Sequence, residues 1–157
     1  MLNDQDKLFF ARLSRAQRLY SGALAKRLAP HGVKPGYIDI LDRLWKRDNI
    51  TQKVLHSTLD IEQATLSNTL KRMERDDILC RVRNPRDRRM TYIVLTEHGQ
   101  GLRKVVNASM DDVQATATTG LTVNDRRYFY RILRQMTEHL ETDLDETALI
   151  LVDEVKE

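Results

Sequence analysis

Residues 50–96 read ITQKVLHSTLDIEQATLSNTLKRMERDDILCRVRNPRDRRMTYIVLT. Thr51 can cap a short helix carrying Val54, Leu55 and Leu59, because a threonine hydroxyl satisfies a first-turn amide. Asp60-Ile61 makes a turn, and helical periodicity resumes from Gln63 to Arg75. Leu79 to Arg83 and Thr91 to Leu95 alternate apolar and polar residues, the pattern of two short antiparallel strands. Between them lies a basic turn, Asn84-Pro85-Arg86-Asp87-Arg88-Arg89.

Helix, turn, helix, strand, basic turn, strand is the order of a winged helix-turn-helix. At 100° per residue, Leu66, Leu70 and Met73 point one way, within about 60° of one another. Ala64, Asn68, Lys71, Arg72 and Arg75 lie opposite, with Ser67 beside them. The start of that outer face is small or neutral, so it can approach base edges, and an asparagine can bond adenine twice. The later bases neutralise phosphates. The residues expected to meet duplex DNA are Gln63, Ala64, Thr65, Ser67, Asn68, Lys71, Arg72 and Arg75, with Arg86 and Arg88 of the wing. Residues 81–89 hold five arginines against one acid, Asp87. Arginine at a hairpin tip suits a narrow minor groove. Asp87 either accepts hydrogen bonds from the turn backbone or pairs with an arginine.

Outward from this core, Phe9, Leu13, Ala16, Tyr20, Ala23 and Arg27, widened by Leu24 and Leu28, predict a helix over Leu8–Leu28. Pro30-His31-Gly32 stops it. A second helix is expected from about Pro35 through Ile38, Leu41, Leu44 and Trp45, broken by Asp48-Asn49. Downstream, Thr96-Glu97 opens a helix carrying Leu102, Val105, Val106, Ser109 and Val113, ended by Gly120 at the latest. Thr122-Val123-Asn124-Asp125 resembles a capping box and opens a last helix striped by Tyr128 or Phe129, Ile132, Leu133, Met136, Leu140 and Leu144. The run Ala148–Val152 is a short helix or a docking tail.

The formal net charge is +3, unevenly spread. Residues 138–157 hold eight acids and one base, which leaves 25 bases and 15 acids before them. A basic body with an acidic tail points to a polyanionic partner. The single cysteine, Cys80, excludes an internal disulfide and a zinc-ligand set. Flanking Arg81 and Arg83 would favour its thiolate, unless strand alternation turns it inward. No apolar run has a membrane span's length and the N-terminus lacks a signal-peptide pattern, so the expected compartment is the cytoplasm. Four scattered histidines and the absence of HExxH, G-x-S-x-G, P-loop or paired-carboxylate motifs speak against an enzyme or a cofactor.

The residues Ile61-Glu62-Gln63-Ala64-Thr65-Leu66, Arg72-Met73-Glu74, Asp87-Arg88-Arg89 and Leu95-Thr96-Glu97 resemble the MarR family of bacterial transcription regulators, most of all its SlyA-type members. The resemblance implies a mainly α-helical fold with a small β-hairpin wing. It implies a winged helix-turn-helix over 35–96 and a helical dimerisation region from 1–34 and 97–146; the charge count adds an acidic tail, 147–157. It further implies a homodimer on a pseudo-palindromic operator, acting as a repressor. Arg88 takes the place of the family's minor-groove arginine, and Asp87 and Arg89 hold the wing. Asn68 stands where SlyA-type relatives often carry arginine, and Asp77 where the family usually has glycine. Family members often leave DNA when a small aromatic or anionic ligand binds. Arg15 and Arg18 match carboxylate-holding positions, or are surface or dimer charges, and Tyr37, Ile38 and Leu41 are candidates to line the pocket. The alternative function is a winged-helix protein–protein adaptor that binds no DNA.

Overall fold

The computed structural model describes residues 3–145, so the tail 147–157 and its Ala148–Val152 run lie outside the described residues. The chain divides into two compact units, Met1–Ala117 and Thr118–Glu157.

The first unit opens with α1, Asp4–Leu28. It starts a turn earlier than the apolar stripe predicts, because its first turn is polar; Lys7 Nζ lies 3.4 Å from Asp4 Oδ1 there. Leu24 and Leu28 are buried, whereas Leu8, Phe9, Phe10 and Leu19 in the earlier turns are exposed. A 3-10 turn, Ala29–His31, and a left-handed Gly32 end the helix. A second 3-10 turn, Pro35–Tyr37, takes the place expected for the start of the next helix, and α2 follows as Ile38–Lys46.

Next come β1, Ile50–Thr51, then α3, Gln52–Ser57, and α4, Gln63–Arg75. The wing strands are β2, Leu79–Arg83, and β3, Thr91–Leu95. Both match the sequence reading, but β1 was not anticipated: two residues are too few for an alternation to show. The sheet order is β1-β3-β2, antiparallel, with Ile50 and Arg81 both opposite Ile93.

Asp48 ties this sheet to what surrounds it. Its Oδ1 accepts from Asn49 N (2.8 Å) and Leu95 N (3.0 Å), and its Oδ2 accepts from Gln100 Nε2 (3.0 Å).

The expected single helix after Thr96 is instead two, α5, Glu97–Gly101, and α6, Arg103–Ala117. Thr96 caps the first, its hydroxyl accepting from Gly99 N at 3.0 Å. Gly99 is buried so tightly that a Cβ there would lie 2.0 Å from the carbonyl oxygen of Ile78. Glycine is therefore required by close approach, and two glycines in five residues weaken helix continuity. α6 packs on α1, and Arg27 Nε pairs with Asp112 Oδ2 at 2.6 Å. Leu28, Leu41, Leu44, Leu55, Leu66, Leu70, Met73, Ile93 and Val106 share one core, each fully buried. Each such side chain contributes roughly 1.5–3 kcal/mol through removal from water.

The second unit is led by a reciprocal cap. Thr122 Oγ1 accepts from Asp125 N (3.1 Å), and Asp125 Oδ2 accepts from Thr122 N (2.8 Å). The Thr122 hydroxyl and amide hold the Asp125 carboxyl below its ordinary pKa. The helix so opened, α7, is Val123–Asp145. No residue of it is buried, and Tyr128, Phe129, Ile132, Leu140 and Leu144 of the expected stripe are exposed.

Candidate nucleic-acid interface

The turn between α3 and α4 is built from side chains that return to nearby backbone. Thr51 Oγ1 accepts from Val54 N at 3.2 Å and starts α3, as its sequence position suggested. Ser57 and Thr58 hydroxyls donate to the carbonyls of Val54 and Leu55 at 2.6 and 2.8 Å. His56 Nε2 lies 2.8 Å from the Ile61 carbonyl oxygen and closes the turn. With Leu55 buried beneath, the first turn of α4 is directed by short local bonds rather than by a long lever.

α4 buries Leu66, Leu70 and Met73, all at 0% exposure. Gln63, Ala64, Thr65, Asn68, Lys71, Arg72 and Arg75 are exposed, and Ser67 is half-buried. The helical wheel therefore sorted inward from outward residues as the structure does. Glu62 is the N-cap and its side chain makes no cap bond, so the backbone amides of the first turn have no side-chain acceptor from it. A positive helix end without a side-chain cap suits a phosphate or a base acceptor. Thr69 spends its hydroxyl on the Thr65 carbonyl, 2.8 Å away.

The far end of α4 is anchored by Tyr37, a residue whose sequence position suggests the lining of a ligand pocket. Its ring is 1% exposed, and its hydroxyl donates to Asp76 Oδ2 at 2.7 Å. Asp76 ends α4 and also receives Arg75 Nε at 3.2 Å. Burial, then the Asp76 bond and charge, push the Tyr37 phenol up to about 12. The Tyr37 bond, against some desolvation, holds the Asp76 carboxyl below its ordinary pKa. Asp77 follows with φ +57, so the left-handed turn that favours glycine is present here with aspartate in it.

The wing tip is organised by two carboxamide and carboxylate clasps. Asn84 Oδ1 accepts from Arg86 N (2.9 Å), and Asp87 Oδ1 accepts from Arg89 N (3.0 Å). Asn84 N donates to the Met90 carbonyl, and Met90 N to the Asp87 carbonyl. Of the two roles open to Asp87, the backbone one is observed. Arg83, Arg86, Arg88 and Arg89 are exposed, and among the described residues none of them enters an ion pair. Their charge is thus available to a ligand. Arg89 contributes its backbone amide to the turn. Cys80 is exposed rather than inward: Leu79 and Arg81 take the inner positions of β2.

The five residues expected to hold a small ligand are not brought together. Leu41 is fully buried and Tyr37 is engaged with Asp76. Ile38 alone lines a cavity of about 200 Å³, with Gln17, Tyr20, Leu24, Asp39 and Met110 among its walls. Arg15 and Arg18 are exposed on α1, and Arg18 Nη1 donates to Ser14 Oγ at 3.0 Å. Among the described residues no cluster of metal-ligating side chains occurs, and no helix is long and apolar enough to cross a membrane.

Residues 35–91 match the model of the MarR family. The HTH-type transcriptional regulator TtmR of Methylorubrum extorquens (strain PA1) is 31% identical over 137 residues, 85% of this chain and 68% of that protein. The HTH-type transcriptional regulator MhqR of Bacillus subtilis (strain 168) is 28% identical over 96 residues, 61% of this chain and 66% of that protein. Among solved structures, reduced AbfR bound to DNA superimposes with TM-score 0.64 at 26% identity, covering 87% of this chain and 92% of that one.

Proposed function

The chain belongs to the MarR family, and from that premise we propose that it is a sequence-specific transcriptional repressor, working as a homodimer. The observation that carries this reading is the pairing of two surfaces on one lobe. α4 presents Asn68 ahead of Lys71, Arg72 and Arg75, and the wing presents Arg86 and Arg88, neither in an ion pair among the described residues. The first surface fits the major groove and base edges; the second fits the flanking minor groove. The solved DNA complex of AbfR, a structural relative, supports the same partner.

The dimer is supported by apolar surface that is exposed among the described residues. Phe9 and Phe10 on α1 are 41% and 58% exposed, and Phe129 and Leu144 on α7 are 54% and 82% exposed. Apolar stripes of that length on single helices mark a contact with another chain. A two-fold dimer places two α4 helices in successive major grooves, so its operator is a pseudo-palindrome. We take 1–34 and 97–146 as the dimerisation region and 35–96 as the reading head. Within the family we group the chain with the SlyA type on Ile61–Leu66, Arg72–Glu74 and Asp87–Arg89. A small aromatic or anionic ligand, with Arg15 and Arg18 the candidates to hold its carboxylate, would release the operator by shifting the two reading heads. The compartment that goes with this work is the cytoplasm.

The test is fluorescence anisotropy on the DNA upstream of the protein's own gene, against a shuffled duplex, across a salt series. A preference of about a thousandfold with steep salt dependence is the expected result. Equal, weak binding to both would leave only non-specific affinity. No binding at low salt would reject the DNA reading and promote the adaptor.

A further inference from the structure

Arg81 occupies a position where a wing strand would ordinarily bury an apolar side chain. It follows Leu79 on the inner side of β2; Leu79 is buried and Arg81 half-buried. Its Nε lies 3.6 Å from Glu74 Oε2 in the last turn of α4. That distance makes an ion pair but not a hydrogen bond. Nε and Nη2 are both out of solvent and have no hydrogen-bond partner.

Dry, unbonded N–H groups cost stability, and an aliphatic side chain would fill such a place more cheaply. Folding energy therefore does not account for an arginine here. What the arginine adds is a fixed attraction between helix and strand. Among the described residues it is the one ion pair that joins α4 to the wing strands. The clasps of Asn84 and Asp87 shape the tip internally but tie it to nothing on α4. The tip's placement relative to the helix therefore falls to β2, and to this contact on it.

We propose that Arg81, through Glu74, is a positioning residue of the DNA interface: the pair sets the wing against the recognition helix, so that Arg88 and Asn68 meet one duplex together. The proposal rests on the DNA reading above. Arg81 acts through Arg88: two of its three guanidinium nitrogens, Nε and Nη2, are out of solvent and face inward rather than towards a phosphate.

The experiment is a double-mutant cycle on a duplex selected by the wild-type protein from a randomised pool. Arg81→Met should weaken binding about tenfold in the wild-type background and less than about twofold in Arg88→Ala, because a misplaced wing has little left to lose. Glu74→Gln should follow Arg81→Met. A second arm needs no DNA: in the free protein, amides of residues 82–92 should exchange with solvent faster in Arg81→Met, while the thermal midpoint stays within a few degrees. Equal losses in both backgrounds, or unchanged exchange at the wing, would overturn the proposal. A wild-type protein that selects no duplex would overturn the DNA reading instead, and the exchange arm would still decide whether Arg81 holds the wing.

Discussion

The hydroxyl of Tyr37 and the carboxylate of Asp76, 39 residues apart in sequence, meet at 2.7 Å and pin the C-terminal end of the recognition helix to the turn that precedes α2. The ring supplies burial and the hydroxyl supplies direction. Tyr37→Phe keeps the first and removes the second, leaving Asp76 with Arg75 alone. The expected loss is about 1.5–3 kcal/mol of stability, the range for a hydrogen bond to a charged group. Urea unfolding of the two proteins measures it. An unchanged midpoint would mean that the bond is replaced by water at no cost.

The same pair gives stability a pH signature at both ends. Asp76 titrates lower when folded than when unfolded. Its contribution is therefore complete above the ordinary carboxylate range and is lost as pH falls from about 4 through the folded value. Tyr37 titrates near 12 when folded, against 10.0 ordinarily. Its contribution is complete below pH 10 and is lost as pH rises towards 12, at about 1.4 kcal/mol per unit. Tyr37→Phe should show a shallower alkaline decline than wild type. Parallel declines from pH 10 to 12 would sink this assignment.

Asp77 holds φ +57 without a side-chain bond that requires aspartate. An L-residue in that region costs roughly 1 kcal/mol, and glycine escapes the cost while giving back part of it as chain entropy. Asp77→Gly should therefore raise stability by up to about 1 kcal/mol, and Asp77→Val, being β-branched, should lower it by more than that. Thermal unfolding decides; a stabilising valine would show that the turn changes conformation.

Asp48 accepts from two backbone amides and one side-chain amide drawn from three segments. Asp48→Ala leaves the half-buried Leu95 amide without its acceptor. We expect a loss of about 1–3 kcal/mol with DNA specificity unchanged in the folded fraction. Denaturant midpoints and anisotropy on one preparation separate the two effects.

Asp48 also marks what could be read from the chain before its structure was known. Patterns of period 3.6 and 2 gave α4, β2 and β3 their bounds, because each carries a whole apolar stripe or alternation against one core. Caps at Thr51, Thr96 and Thr122 were legible for the same local reason. The two-residue β1 was not, and neither were the partners of Tyr37, Asp48 and Arg81. Those are contacts between segments 39, 47 and seven residues apart, and nothing in local spacing announces them. An inward arginine within an otherwise alternating strand was the one visible signal. Its charge matches that of the wing arginines around it, and only the fold shows that it faces Glu74.

Asn68 and Arg88 should separate base reading from groove reading. Asn68 is exposed one turn into α4, and Arg88 is exposed at the wing tip. Asn68→Ala removes a side chain that can bond a base edge and carries no charge, so it should change the preferred bases while leaving the salt slope intact. Arg88→Ala should cost a few kcal/mol per dimer, most of it on duplexes with A·T-rich flanks, where the minor groove is narrow and more negative. It should also lower the salt slope by about one per subunit. Selection from a randomised pool, followed by anisotropy at four salt concentrations, reads both quantities. If Asn68→Ala kept the wild-type base preference, a different face of α4 would have to enter the groove. A full salt slope in Arg88→Ala would mean that the wing stands away from the phosphates.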